Sequence, residues 1–254
     1  MNEKGKVRKI NTIHTSRTMM YAELEKVMAF ALDSHSFLES LGLNVTGKKS
    51  TSGVEKTATY LKRLYGFDLQ YPPFAALAYF WKKAEPHDRP LLAFIYAVQH
   101  DELLAESIPV VRGVLPGDKV AIDLFEAAIE QSHPNVYSAN TRKSLAQNIA
   151  SSWKQAGFVE GKVKNIRTQP PISPQVACFA FLLAFLAGCR GDFIWAGVAP
   201  GALCLAESQL RALAVDCAKV DLMQYQSAGS VTAIGFANLL NAIGSYANTN
   251  RIAD

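Results

Sequence analysis

Apolar side chains return every three or four positions along most of this chain, the period of helices that each bury one face. Leu24, Val27, Met28, Ala31, Leu32, His35, Leu38 and Leu41 form one such stripe, which predicts a helix over Tyr21–Leu41 stopped by Gly42. After the polar loop Lys48–Gly53, the capping-box pattern Ser52-Gly-Val-Glu55 opens a second helix. It buries Val54, Ala58, Leu61 and Tyr65, turns Lys56, Thr59, Lys62 and Arg63 outward, and ends at Gly66. Pro72 and Pro73 introduce a helix over Phe74–Lys83, and Asp88 and Pro90 introduce another from Leu91 through His100 to Glu106. Residues 21–112 therefore read as a helical bundle without strands.

Beyond Gly113–Gly117 the pattern changes. Asp118 is placed to cap a helix that buries Ala121, Leu124, Phe125, Ala128 and Ile129 and breaks at Ser132–Asn135. Ser138 caps the next helix, Ala139–Ala156, where Leu145, Ile149 and Trp153 recur every four residues and Gly157 supplies a left-handed stop. Phe158–Thr168 has a glycine at a tight turn and apolar residues alternating with Lys162, Lys164 and Arg167, as in a short basic hairpin. These are the parts of a winged helix-turn-helix, over residues 118–170. A related order returns over residues 173–254: the apolar helix from Ser173-Pro174 to Leu186, a helix Glu207–Lys219, a strand–turn–strand in Leu222–Ile234, and a terminal helix Phe236–Tyr246. The second hairpin has no Lys or Arg, so only the first is equipped for phosphate contact. The expected fold is mainly α, an N-terminal helical bundle followed by winged-helix-like modules with short β-hairpins, preceded by residues 1–20 as a basic, flexible tail.

Composition narrows the class. Of 254 residues, 49% are hydrophobic and 19% charged, a globular balance that excludes a disordered, collagenous or disulfide-stapled chain. Cys178, Cys189, Cys204 and Cys217 are too far apart for a zinc or redox pair, so they read as reduced core thiols of a cytoplasmic protein. The apolar run Val176–Ala187 is 12 residues long, short of the roughly 20 that cross a bilayer. It reads as a buried helix between the two C-terminal modules, and no membrane partner is expected. The N-terminus is basic but lacks the apolar core of a signal peptide.

Charge is uneven although the net value is only +4. Residues 1–20 carry +4, residues 48–65 again +4, residues 84–130 carry −6, and residues 138–170 carry +5. Such patches steer polyanions and dock partners of opposite sign. Catalytic signatures are missing: there is no Walker-type or dinucleotide-binding glycine loop, no H-E-x-x-H and no G-x-S-x-G. No catalytic residue, metal ligand or cofactor is assigned. His100 beside Asp101 and Glu102 is the one string with acid–base chemistry, and its plainer reading is a helix turn facing water or a neighbouring helix. Trp81, Trp153 and Trp195 read as core anchors, and His35 as a core histidine.

Phe94–Leu104 (FIYAVQHDELL), Leu124–Glu130 (LFEAAIE) and Tyr137–Val159 together resemble the BrxA family, the small non-enzymatic component of BREX phage-defence systems. The resemblance runs over roughly residues 20–235 and rests mainly on hydrophobic pattern, with Thr141, Arg142 and Lys143 falling on the family's polar positions. It implies a largely helical protein with winged-helix-like parts, encoded beside a methyltransferase, an ATPase and a phosphatase-like partner. It also implies a role compatible with binding DNA, and it offers no catalytic residues.

Two expectations follow. The first is a DNA-binding accessory subunit that holds double-stranded DNA weakly and with little sequence preference. Its contacts would come from Lys48, Lys49, Arg142, Lys143, Lys162, Lys164 and Arg167. Neutralising about six phosphates gives a slope of log K on log salt of about −5. The second is a scaffold whose acidic 84–130 region docks other defence subunits without touching DNA.

Overall fold

The computed structural model describes residues 10–34, 36–228 and 231–250. At its centre lie two helices with no exposed face. In α5 (Arg89–His100) Leu91 through Val98 are all buried, and in α10 (Pro174–Leu186) so are Val176 through Ala184. A helix that is apolar all round must be covered on every side. The two pack on each other, and α4 (Pro72–Lys83), α11 (Val198–Gly201) and α12 (Glu207–Lys219) complete the cover of α10. The expected position of α10 between the two C-terminal modules is corrected accordingly, because its face meets the N-terminal helices as well. One contiguous apolar core runs from Ile13 to Ala247. Trp81, Trp153 and Trp195 are buried in it as anticipated, while His35 lies outside the described residues. Among the described residues, no helix is long and apolar enough to cross a membrane.

Around this centre stand α1 (Tyr21–Ser34), α2 (Phe37–Gly42) and α3 (Thr51–Tyr65), the last ended by Gly66 as its spacing predicts. Several boundaries differ from the sequence pattern, each at a side-chain cap. The single helix expected over Tyr21–Leu41 is interrupted where the Ser36 side chain accepts from Glu39 N–H and starts α2. Ser50, two positions before the expected cap, caps α3 through Gly53 N–H. The helix expected to run through His100 to Glu106 breaks at Asp101, whose carboxylate accepts from Leu104 N–H and opens α6 (Glu102–Glu106); α7 (Ile108–Arg112) follows.

The chain then turns at Gly117, bridges β2 at Lys119 and enters α8 (Ile122–Ser132), α9 (Ala139–Gln155), β1 (Val159–Glu160) and β2 (Ile166–Arg167). Asp118 is not the cap of α8, a place taken by Ala121; instead its carbonyl accepts from Arg167 N–H at 2.8 Å. Val120 N–H donates to Asn165 O and Gly117 N–H to Arg167 O, and Lys119 bridges Ile166, so this stretch lines the free edge of β2. β2 thus has β1 on one side, in the register Val159↔Arg167, and residues 117–120 on the other. Further along, β3 (Gln224–Ala228) and β4 (Val231–Gly235) form a separate antiparallel hairpin before α13 (Ala237–Thr249).

Residues 10–20, assigned from sequence to a flexible tail, are packed. Ile13, His14, Met19 and Met20 are buried, and the backbone is tied to α6 and α9 by Asn11 N–H to Glu102, Ile13 N–H to Asp101 and Met19 N–H to Ser152. They form a strap across the bundle; residues 1–9 lie outside the described residues.

Candidate nucleic-acid interface

The interface candidate is built on α9. Its first turn is closed by Ser138 Oγ, which accepts from Thr141 N–H at 3.2 Å. Leu145, Ala146, Ile149, Ala150 and Trp153 face the core. The Trp153 indole donates to Ser107 Oγ at 2.7 Å and packs against Phe94 and Phe158. The opposite face presents Asn140, Lys143, Ser144 and Gln147 to solvent and continues through half-buried Ser151 and Lys154. None of the 17 residues of this helix is acidic.

Lys154 Nζ donates to Gly161 O at 2.7 Å, which joins the end of that stripe to the turn of the β1–β2 hairpin. Gly161 has φ +96°, and a Cβ there would lie 2.1 Å from Lys164 O, so glycine is required to close the turn. Lys162, Val163 and Lys164 stand at the tip, with Val163 95% exposed. Lys119, on the added strand edge, is exposed too. Lys119, Lys143, Lys162 and Lys164 have no acidic partner among the described residues.

The residues expected to meet phosphate do not all lie here. Lys143, Lys162 and Lys164 are free and on one unit. Arg142 is half-buried and paired with Glu130 of α8, so its charge serves the α8–α9 contact. Arg167 is only 2% exposed. Its guanidinium donates to Val111 O, Phe158 O and Gln169 Oε1, and it stacks over the Phe158 ring. Arg167 is therefore withdrawn as a phosphate contact: it pins the hairpin to the bundle from inside. Lys48 and Lys49 lie elsewhere, in the loop entering α3, and Lys48 is bonded to Glu23 at 2.7 Å.

One constellation escaped the sequence pattern. His14 Nδ1 lies 2.9 Å from Asp101 Oδ2, and His14 Nε2 lies 2.9 Å from Ser152 Oγ. Asp101 also accepts from Thr12 Oγ1, Ile13 N–H and Leu104 N–H. Burial pushes the Asp101 carboxyl up, but the His14 ring and these donors outweigh it and hold the value below the ordinary carboxylate range. The order of groups is that of a hydrolase triad. Here, however, Ser152 Oγ already accepts from Met19 N–H and bonds Asn148 O, and His14, Asp101 and Ser152 are at most 1% exposed. No substrate reaches them in this conformation, and their evident work is to clamp the strap to α9. Of the plain reading of Asp101, in a turn facing water or a neighbouring helix, the water-facing alternative is excluded by its burial. His100 beside it is separate: burial lowers its pKa, and its Nδ1 faces Tyr96 O.

No family model, curated protein or solved structure matches this chain.

Proposed function

We propose that residues 117–167 form a winged helix that holds duplex DNA, in a cytoplasmic, non-enzymatic accessory protein of a BREX-type phage-defence system. The observation that carries the DNA reading is the continuous acid-free face of α9, tied through Lys154 and Gly161 O to a hairpin tipped by Lys162 and Lys164. The N-terminal turn of α9 adds its free N–H groups and positive dipole end to the attraction. The bridge at Lys119, the two helices and the hairpin are compatible with the strand–helix–helix–hairpin order of that fold. The defence setting rests on the resemblance carried by Phe94–Leu104, Leu124–Glu130 and Tyr137–Val159.

With Arg167 buried and Arg142 paired, about four lysines remain for phosphates, and the expected salt slope falls to about −4. Affinity is therefore weak and phosphate-led. Fluorescence anisotropy of the full chain on an arbitrary labelled duplex, titrated across salt, tests this. Binding that weakens with the stated slope supports the reading, and no binding at low salt removes it.

A second reading has its own observation. Between α7 and α8 lies an open groove of about 630 Å³ whose lining includes Pro109, Val110, Val114, Leu124 and Ala127. Leu124 and Leu115 are 43% and 70% exposed, in the acidic part of the chain. An apolar floor with acidic surroundings suits a basic partner subunit. Co-purification with the neighbouring operon products, lost in Leu124→Asp, would favour docking over DNA.

A further inference from the structure

The polar side chains of α9 divide into two sets. Asn148 donates to His14 O, Gln155 accepts from Tyr21 N–H, and Ser152 belongs to the buried clamp. All of these serve the fold. Among the described residues Asn140, Lys143, Ser144 and Gln147 have no side-chain partner, and all four fall on one line at the i, i+3/i+4, i+7 spacing of a helix face. Two are amides, and no acid interrupts them.

We propose that this line reads base edges in the major groove and favours adenines about three base pairs apart. The inference rests on the DNA-binding reading above. The seven helical rises from Asn140 to Gln147 span about 10 Å, the length of about three base-pair steps. An amide side chain pairs with adenine in a two-point contact, donating to N7 and accepting from the N6 amino group. Asn140 and Gln147 present one such amide at each end of the line. Lys143, between them, is one of the lysines counted above for phosphates, and Ser144 accepts either neighbour. The hairpin lysines set the register by holding phosphates, which carries no sequence information by itself. The outcome is a short, degenerate site of the A-x-x-A kind, in place of the near absence of preference expected from sequence.

Selection of the full-length protein on a random duplex library at low salt is the test, followed by affinities for single-position variants of the enriched site. The expected result is enrichment of paired adenines, with about tenfold loss for replacing either one. Asn140→Ala should erase the preference at one adenine and Gln147→Ala at the other, each with an unchanged melting temperature and salt slope. Enrichment of no motif, while arbitrary duplex still binds and Lys162→Glu/Lys164→Glu weakens it, overturns the readout and leaves the phosphate reading standing. Equal loss on all sequences in Asn140→Ala also overturns the readout, since the side chain then acts on the backbone. Failure to bind any duplex at low salt overturns both.

Discussion

The two helix–helix–hairpin units share an order of elements and differ in where their charges end. In the first, α9 carries Lys143 free on an acid-free face, and the hairpin turn holds Lys162 and Lys164 in water. In the second, the two cations of α12 are consumed locally: Arg211 is bonded to Glu207 and Asp192, and Lys219 to Asp216. Arg211 also lies over the Trp195 ring. The β3–β4 hairpin turns Gln224, Gln226, Ser227 and Val231 outward, and the helix opening the unit, α10, is sealed in the core. Element order therefore says little about a surface. What sets apart the unit proposed to face a polyanion is its group of lysines left without acidic partners among the described residues.

Four experiments break or sharpen that contrast. The largest effect is expected from Trp153→Ala, which removes the indole from between Phe94 and Phe158 and leaves Ser107 Oγ without its donor. It should cost about 3–5 kcal/mol and appear as a large drop in denaturant midpoint. Next is Asp101→Asn, which leaves His14 without its charged partner and loosens α9 from the strap. A loss of about 3 kcal/mol at neutral pH is expected. Because the folded-state pKa of Asp101 is depressed, its contribution is complete above the unfolded carboxylate value near 4 and is lost as pH falls through the lower folded value. The variant should thus lose less stability than the parent in acid, measured by urea melts at successive pH values.

Smaller is Arg167→Ala, which strands Val111 O and Phe158 O. About 2 kcal/mol of stability should go, and the salt slope of DNA binding should stay as it was. Lys162→Glu/Lys164→Glu should do the reverse: stability within about ±0.5 kcal/mol, and a slope shallower by about two units. A flat DNA response to these charge reversals in a folded protein would erase the distinction between the two hairpins.

The helices with strong local signals were legible in full. Ser173-Pro174 begins α10 and its side-chain cap is present, and α12 occupies Glu207–Lys219 as its spacing indicates. The failures at Arg167 and Asp101 share a cause in long-range partners. The basic count groups Arg167 with Lys162 and Lys164, but it stands an odd number of positions from both, and its register in β2 sends it inward. The break at Asp101 could not be read locally either, since the partners that hold its side chain include Thr12, Ile13 and His14. His14 sits in a stretch without helical periodicity, and nothing near it in the chain announces a buried ring. At the interface, the lysine-rich tip was visible, whereas Lys119 was hidden in an acidic stretch and gains its place only through the bridge to Ile166.

The strap also sets a timetable. Thr12 and its partner Asp101 are 89 positions apart, and His14 waits for Ser152, 138 positions further on. On the ribosome, at about 5–20 residues per second, the strap stays undocked for roughly 7–28 seconds after its synthesis before α9 exists to receive it. Contacts of such separation form late in folding as well, because the intervening loop must close first. The strap is thus among the last segments to find its seat, and the helix proposed to face DNA is braced only when the two ends of that interval meet.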